Sequence, residues 1–300
     1  MPGKLLVVAT PIGNLADLSE RAREVLARAD VIAAEDTRHT GALLRALGLS
    51  QPLLSLHQHN ESQRAEALLN RLAAGETVAL VSDAGTPLLS DPGFELVRRA
   101  AAAGFEVQPI PGPSAISAAL SVAGLPTERF CFEGFLPARA SERRSVLAEL
   151  AREPRTLVFF EAPHRIVAAL EDMAATLGAA RQAVVARELT KAHETLYRGT
   201  LEELACRARA EPNFARGEVT LVVAGASPAA GGADAQLLRR AVQLLSKELP
   251  PARVAAIAAQ LAGATRAEAY ALAVGSAGRA SAAPAGEDEE HADEDEDEVP

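Results

Sequence analysis

The chain has 300 residues, of which 48% are hydrophobic and 23% are charged, a composition typical of globular proteins rather than fibrous or disordered ones. The formal net charge of −10 comes from the C-terminus, because residues 287–298 hold ten Asp or Glu and no Lys or Arg. Thirty acidic and thirty basic residues make up the rest of the charge, so the composition does not exclude an anionic partner such as nucleic acid.

The cysteines and the apolar runs indicate a cellular location. Cys131 and Cys206 are too few for a disulfide framework and suit a reducing compartment. The first apolar run, residues 5–9, is too short for a secretory signal, and no stretch approaches the length of a membrane span. We therefore expect a cytoplasmic protein.

Short apolar runs alternate with helical patterns through residue 124. The runs at 5–9, 31–34, 78–81 and 105–110 predict strands, each followed by apolar residues at helical spacing. Such β-then-α units with short loops predict a doubly wound, mostly parallel α/β sheet. Expected helix caps are Ser19, Asp91 and Ser114, with Gln63 completing a capping box after Asn60.

The pattern changes after Gly124, Leu125 and Pro126, where we place a domain boundary. Residues 1–124 are expected to form an N-terminal α/β domain and residues 125–226 a second α/β domain. Strands are predicted there at 129–135, 156–161, 183–189, 195–199 and 218–224, and helices from Ser141 and Pro163. This second sheet is expected to be mixed and partly antiparallel.

A Gly, Ala and Pro-rich linker at 227–233 separates a third region. Three short helices are predicted at 237–249, 253–261 and 266–274, so residues 234–276 form a small helical appendage. Residues 277–300 are predicted to be a disordered acidic tail, because the like charges repel one another.

Several common catalytic signatures are absent from the sequence. There is no G-x-x-x-x-G-K-[ST] loop, no G-x-G-x-x-G after the first strand, and no H-E-x-x-H or C-x-x-C. Three Gly/Pro loops, 10–14, 82–87 and 111–114, instead follow predicted strands, where open α/β sheets bind ligands. Because they contain no lysine, they favour a neutral or zwitterionic nucleoside over a triphosphate. For 82–87, a tight connection without a ligand is the competing interpretation.

Seven motifs in this order and spacing resemble one family. They are residues 10–15 (TPIGNL), 35–38 (EDTR), 57–61 (HQHNE), 82–87 (SDAGTP), 111–115 (PGPSA), 160–165 (FEAPHR) and 188–191 (ELTK). They are similar to the ribosomal RNA small subunit methyltransferase I family, whose members methylate the 2'-oxygen of a cytidine ribose in 16S rRNA. The similarity covers residues 4 to about 226, and residues 234–276 resemble that family's helix-turn-helix-like extension.

The resemblance implies a tetrapyrrole-methylase type of fold, with S-adenosylmethionine between two α/β domains. It also implies a homodimer acting on the 30S subunit, with no membrane or metal partner. The cofactor-binding residues that it implies lie in the three loops: Thr10, Pro11, Gly13, Asn14, Asp83, Ala84, Gly85, Thr86, Pro87, Pro111, Ser114 and Ala115.

Methyl transfer to a hydroxyl requires an aligned donor and a proton acceptor. The catalytic candidates are Glu161, His164 and Lys191, with His57 and Glu61 as weaker ones. Glu161 is equally compatible with a local ion pair to Arg165, and Lys191 with a solvated charge. We expect no metal site at His57 and His59, because the sequence offers no third ligand nearby.

RNA binding requires positive surface, because phosphate neutralisation supplies much of the affinity. The candidates are Arg38, His57, Arg139, Arg143, Arg144 and Arg165. Simple solvation of these arginines is the alternative. Two other functions stay open: a small-molecule or peptide methylase of the tetrapyrrole or diphthine type on the same fold, and a non-enzymatic nucleic-acid-binding regulator that uses the C-terminal helices.

Overall fold

A computed structural model of the protein describes residues 3–57, 60–227 and 235–280. The described residues up to Ala226 form one compact unit, and the C-terminal helices belong to a second. The motif residues Gln58 and His59, most of the predicted linker, and residues 281–300 of the predicted tail lie outside the described residues.

The first sheet contains five strands that are all parallel, as predicted for the N-terminal half. Its strands are β1 (Lys4–Val8), β2 (Val31–Ala34), β3 (Leu53–Ser55), β4 (Val78–Val81) and β5 (Glu106–Ile110). They lie in the order β3-β2-β4-β1-β5. Every residue of β2 and β4 is buried, which explains their continuous apolar sequences.

Four helices connect these strands and a fifth follows β5, and their caps correct part of the prediction. They are α1 (Glu20–Arg28), α2 (Thr37–Ala46), α3 (Glu61–Ala73), α4 (Phe94–Ala102) and α5 (Ala115–Ala123). Ser19 caps α1 as predicted, because its Oγ accepts a hydrogen bond from the backbone N of Ala22 at 3.1 Å. Ser114 and Asn60 occupy the N-cap positions of α5 and α3 as predicted, but neither side chain makes a cap hydrogen bond. The prediction for Asp91 was wrong, because the N-cap of α4 is Gly93.

The second sheet is mixed, as predicted. Its strands are β6 (Phe130–Phe135), β7 (Thr156–Glu161), β8 (Gln182–Arg187), β9 (Thr195–Thr200) and β10 (Val219–Val223), in the order β6-β7-β10-β8-β9. Only the β6–β7 pairing is parallel among these named strands. The accompanying helices are α6 (Ala140–Leu150), α7 (Ile166–Leu177) and α8 (Leu201–Ala210).

Helix α5 connects the two sheets through a shared apolar cluster. Ile116 and Leu120 of α5 pack with Ile12 from the loop after β1 and with Val158 and Val222 of the second sheet. The loop ends of the first sheet are therefore held against the second sheet. The division into domains at residue 124 stays a prediction.

The second unit contains α9 (Ala235–Leu245), α10 (Pro251–Ala262) and α11 (Arg266–Ala280). Their own core includes Leu238, Val242, Val254 and Ala269. Because α11 continues through Ala280, residues 277–280 are helical and the expected disordered tail does not begin at 277. None of the helices in the described ranges has the length and apolar character that crossing a membrane requires.

Candidate functional site

The three Gly/Pro loops meet at the carboxyl edge of the first sheet. Thr10 and Gly85 exchange two backbone hydrogen bonds, with N to O distances of 2.9 and 3.0 Å. Thr86 Oγ1 donates to the carbonyl oxygen of Pro113 at 3.2 Å. The loops after β1, β4 and β5 are thus joined directly, because these three strands are neighbours in the sheet.

Glycines permit the close approach of these loops. Gly85 has a φ of +82°, and a Cβ there would lie 3.3 Å from Cγ2 of Ile12. A Cβ on Gly112 would lie 3.1 Å from the Cβ of Ala9. A side chain at Gly85 would be both strained and crowded, so the sequence requires glycine where the loops meet.

A turn after β8 packs against the first loop. A Cβ on Gly13 would lie 2.3 Å from Cγ of Lys191 and 3.1 Å from the carbonyl oxygen of Leu189. In this turn, Glu188 and Thr190 have φ values of +53° and +65°. Non-glycine residues in the left-handed region persist where surrounding contacts hold them, and they concentrate at ligand sites.

Lys191 is held as a cation in this turn. Its Nζ lies 2.9 Å from Glu188 Oε1 and 3.3 Å from Glu218 Oε2, and the side chain is 27% exposed. Partial burial opposes the charge, but hydrogen bonds and attraction from Glu188 and Glu218 outweigh it and raise the pKa of Lys191. Lys191 is therefore protonated at neutral pH and in that form donates hydrogen bonds rather than accepting a proton.

Glu161 makes the ion pair that was the alternative interpretation of this residue. Its side chain has no exposed surface, and its Oε1 lies 2.9 Å from Arg165 Nε. The same oxygen accepts a hydrogen bond from the backbone N of Ala162 at 2.8 Å. Arg165 Nη2 also donates to the carbonyl of Leu136. The carboxylate and the guanidinium thus hold the start of the 3₁₀ turn Pro163–Arg165, on which His164 is exposed.

Two cavities lie beside the joined loops. One, of about 710 Å³, is lined by apolar side chains and hydroxyls: Leu89, Ser114, Ile116, Ser117, Leu120, Ser121, Gly124, Leu125, Thr127, Phe130 and Phe132. The other, of about 370 Å³, is lined by the first two loops and charged residues: Pro11, Ile12, Gly13, Leu15, His39, Ala42, Leu43, Ala46, Asp83, Ala84, Lys191 and Glu218. Of the predicted cofactor and catalytic residues, Ser114 lines the larger cavity, and five line the smaller one: Pro11, Gly13, Asp83, Ala84 and Lys191.

An acidic cluster at this edge was missed by sequence reasoning. Burial, with repulsion from Glu35 and Asp83, raises the pKa of Asp91 to about 6, although a hydrogen bond from Ser82 opposes the shift. Burial and the Asp83 charge also raise the pKa of Glu35. Glu35 directly follows the buried strand β2, and Asp83, already predicted as a cofactor residue, lies two positions after the buried strand β4. Their places at strand ends were the signal that could have revealed the cluster. Asp91 was missed because it was expected to cap α4.

The predicted RNA-binding arginines differ in exposure. Arg143 is buried: its side chain is 5% exposed and its Nη2 lies 2.6 Å from Asp172 Oδ2. The structure therefore contradicts the prediction that Arg143 contacts RNA, since phosphate could not reach the guanidinium. Arg38, Arg139 and Arg144 have side chains 90%, 81% and 61% exposed, each with one acidic neighbour.

His57 and Arg165 complete the RNA-binding candidates. His57 is exposed, and its backbone N donates to Asn60 Oδ1 at 2.9 Å. The Arg165 side chain is 21% exposed and engaged with Glu161. In the part of the chain that the structure describes, no group of three or more His, Cys, Asp or Glu is placed to hold a metal ion.

Known proteins are similar to this chain in sequence. Residues 4–205 match the family described as Tetrapyrrole (Corrin/Porphyrin) Methylases. The Ribosomal RNA small subunit methyltransferase I of Xylella fastidiosa (strain Temecula1) is 54% identical over 272 residues, covering 90% of this chain and 98% of that protein. The protein of the same name from Escherichia coli O157:H7 is 51% identical over 261 residues, covering 87% of this chain and 91% of its own.

A solved structure shows the same fold. It is a uroporphyrin-III C-methyl transferase from Thermus thermophilus complexed with S-adenyl homocysteine, which aligns with a TM-score of 0.51 and 22% identity over 74% of this chain and 96% of that one. The predicted fold class is confirmed. The chain belongs to the tetrapyrrole methylase family and, within it, to the ribosomal RNA small subunit methyltransferase I family of enzymes.

Proposed function

We propose that the protein uses S-adenosylmethionine to methylate the 2'-oxygen of a cytidine ribose in 16S rRNA. Relatives that match it over nearly their whole length are named for small-subunit ribosomal RNA. The structural observation that carries the proposal is the junction of three strand-end loops, tied by Thr10, Gly85 and Thr86, against the turn that contains Lys191.

The cofactor fits the larger cavity by size and chemistry. Small-molecule sites commonly enclose about 300–1,000 Å³ with apolar walls and a few placed polar groups. The cavity of about 710 Å³ offers Leu89, Phe130 and Phe132 for a nucleobase, and the hydroxyls of Ser114 and Thr127 for polar groups. The solved structure of the same fold is a complex with S-adenyl homocysteine, which supports the choice of cofactor.

The predicted cofactor residues have different roles in this proposal. Ser114 lines the larger cavity directly, whereas Thr10, Gly85 and Thr86 hold the loops in register through their hydrogen bonds. Four of the other predicted residues line the smaller cavity, namely Pro11, Gly13, Asp83 and Ala84. The remaining ones belong to the same loops: Asn14, Pro87, Pro111 and Ala115. S-adenosylmethionine supplies an activated methyl group on a positively charged sulfur.

Lys191, which lines the smaller cavity, and the 162–165 turn are assigned to the acceptor. Lys191, kept charged by Glu188 and Glu218, donates a hydrogen bond to the RNA and so fixes the ribose. Glu161 orients the 162–165 turn through Arg165 and Ala162. We assign proton acceptance to His164, which is exposed on that turn, because a neutral imidazole nitrogen can serve as a general base.

Binding of the 30S subunit is assigned to the exposed cations. Arg38, Arg139 and Arg144 contact phosphates, and His57 and Arg165 lie on motifs beside the proposed site. We further propose a cytoplasmic homodimer. Exposed apolar side chains support an interface, notably Phe94 and Phe135, which are 65% and 54% exposed.

Ribose-methylation mapping tests the proposed substrate. The protein is added with S-adenosylmethionine to 30S subunits that lack the modification, and 16S rRNA is mapped at nucleotide resolution. One newly methylated cytidine ribose is expected. Unmodified RNA, together with methyl label on a tetrapyrrole or a peptide, would favour the small-molecule or peptide alternative.

Calorimetry with a matched pair of glycine variants tests the cofactor site. Gly85→Val should abolish saturable S-adenosylmethionine binding, because Gly85 has a φ of +82° and Ile12 lies 3.3 Å from its Cβ position. Gly104→Val is the control: Gly104 has a φ of +78° but no atom within 4 Å of its Cβ position. Equal loss of binding in both variants would contradict the assignment.

A further inference from the structure

We propose that Glu61 is a positioning residue for the cofactor. Its carboxylate binds the C-terminal end of residues 85–93, the segment that contributes Leu89 to the wall of the larger cavity. The inference rests on the proposed use of S-adenosylmethionine. It gives a role to the 57–61 motif, which the proposed chemistry leaves partly unexplained.

Glu61 caps a helix to which it does not belong. It is the first residue of α3, yet its Oε1 accepts hydrogen bonds from the backbone N of Gly93 at 3.1 Å and of Glu95 at 2.7 Å. These two amides open α4, which has no side-chain cap of its own. A carboxylate is a favourable cap there, because the N-terminus of a helix carries partial positive charge.

Local sequence cannot supply this cap. Residue 93 is the N-cap of α4 and has a φ of +120°, and a Cβ there would lie 2.7 Å from Cδ2 of Leu80. Any capping side chain at residue 93 would thus collide with the buried strand β4. The cap has to come from elsewhere in the fold, and Glu61 provides it across 32 residues.

The segment that ends at Gly93 is strained and lines the cavity. Leu88 and Ser90 have φ values of +75° and +71°, which non-glycine residues adopt only where neighbours enforce it. Leu89, between them, lines the larger cavity. Ser90 Oγ lies 3.0 Å from the Cβ position of Gly134 in β6, so the segment also lies against the second sheet.

The segment is therefore fixed at both ends. At its N-terminal end, Gly85 and Thr86 bind the loops after β1 and β5. At its C-terminal end, Gly93 is bound by Glu61. Loss of the Glu61 carboxylate frees residues 88–93, so that Leu88 and Ser90 can relax from their left-handed conformations. Leu89 then leaves its place in the cavity wall, and cofactor affinity falls.

The preceding residues place Glu61 at this point. Asn60 Oδ1 accepts from the backbone N of His57 at 2.9 Å, and Asn60 Nδ2 donates to the carbonyl of Ser55 at 3.3 Å. These bonds attach Asn60 to Ser55 and His57 at the start of α3, from which Glu61 reaches α4.

Three variants of the full chain test the proposal: Glu61→Ala, Glu61→Gln, and the control Glu66→Ala, an exposed residue on the same helix. Glu61→Ala should raise the Kd and KM for S-adenosylmethionine about tenfold or more, equivalent to about 1.4 kcal/mol, with little change in kcat. Glu61→Gln should recover most of the affinity, since its amide oxygen can accept the same two bonds. Glu66→Ala should match the wild type.

Amide hydrogen exchange gives a readout that does not depend on activity. Exchange at residues 93 and 95 should accelerate in Glu61→Ala and remain slow in Glu61→Gln. Should Glu61→Ala fail to fold, Glu61→Asp replaces it, because the side chain that is one methylene shorter loses reach. If Glu61→Asp binds S-adenosylmethionine with a higher Kd than Glu61→Gln does, the proposal is supported. If its Kd equals that of the wild type, the proposal is overturned.

Two results would overturn the inference. One is a folded Glu61→Ala variant with wild-type affinity for the cofactor. The other is a loss of kcat at unchanged KM that glutamine does not recover, which would make Glu61 a proton acceptor. A wild-type protein that binds no S-adenosylmethionine would instead refute the proposed function, and hydrogen exchange would still decide whether Glu61 holds the segment.

Discussion

The side chain of Lys191 lies across Gly13, with Cγ only 2.3 Å from the position that a Cβ at residue 13 would occupy. The turn after β8 thus packs closely on the loop after β1, because residue 13 has no side chain. Lys191 is further confined by Glu188 and Glu218, so its ammonium group has little freedom.

Gly13→Ala should displace Lys191 and reduce methyl transfer at least about tenfold, because shifts of about 1 Å in a positioned group can cost up to a hundredfold in rate. The assay is initial rate on 30S subunits. Gly48→Ala is the control: Gly48 has a φ of +72° and open space around its Cβ position, so it should lose about 1 kcal/mol of stability and keep its activity. Equal activity in both variants would contradict the positioning role.

Lys191→Arg should retain a substantial part of the activity, whereas Lys191→Met should lose nearly all of it. The reason is that Lys191, with its raised pKa, acts as a fixed cation, and arginine preserves the charge at every accessible pH. Rates are compared from pH 7 to 9 at saturating cofactor. If both variants are equally inactive while cofactor binding is normal, Lys191 serves as a proton acceptor.

Arg143 and Arg144 are adjacent but should respond differently to alanine substitution. Arg143→Ala should lower the free energy of unfolding by about 1–3 kcal/mol, because it removes the buried partner of Asp172 and leaves only the more exposed Arg144 to compensate that charge. Arg144→Ala should leave stability within about 1 kcal/mol but weaken 30S binding. Urea unfolding and binding titrations over a salt series measure both effects. A binding defect in Arg143→Ala without lost stability would restore Arg143 as an RNA contact.

Asp91→Asn should stabilise the protein at neutral pH. The pKa of Asp91 is raised to about 6, above the unfolded value of about 3.9. The folded state therefore binds the proton more tightly, and this residue's contribution to stability is lost as pH rises from about 4 to about 6. Asparagine stays neutral, so the variant should gain about 1–2 kcal/mol at pH 7.5 and little at pH 4.5.

Urea unfolding at the two pH values checks this prediction. Glu133→Gln, at an exposed position of β6, is the control. Its change in the free energy of unfolding relative to the wild type should be the same at both pH values. A constant offset between Asp91→Asn and the wild type at both pH values would indicate that Asp91 does not titrate in this range.

Local patterns predicted the fold where burial alone determines the structure. The strands β2 and β7 occupy the predicted residues because their apolar runs are bounded by polar ones. The strand β3 has only three residues, none fully buried, so it left no periodic signal. The helix α8 was also missed, although Thr200 and Glu203 form a capping box that the sequence displayed.

The site was predictable where it depends on strand ends. The three glycine loops converge because the strands before them are neighbours in the sheet. In a parallel sheet the carboxyl ends of the strands lie at the same edge. The cap by Glu61 joins residues 32 positions apart, and no local pattern reports such a contact. Arg143 was misassigned for a related reason: its partner Asp172 is 29 residues away, and pairing, not residue type, decides its burial.

The central place of β1 has a consequence for biosynthesis. Strand β1 pairs with β4 and β5, whose partner residues begin at Val78 and Glu106. Chain elongation at about 5–20 residues per second gives an interval of about 5–20 s between synthesis of β1 and synthesis of β5. During this interval β1 lacks one or both of its neighbours, and an open strand edge of this kind favours aggregation of incomplete chains.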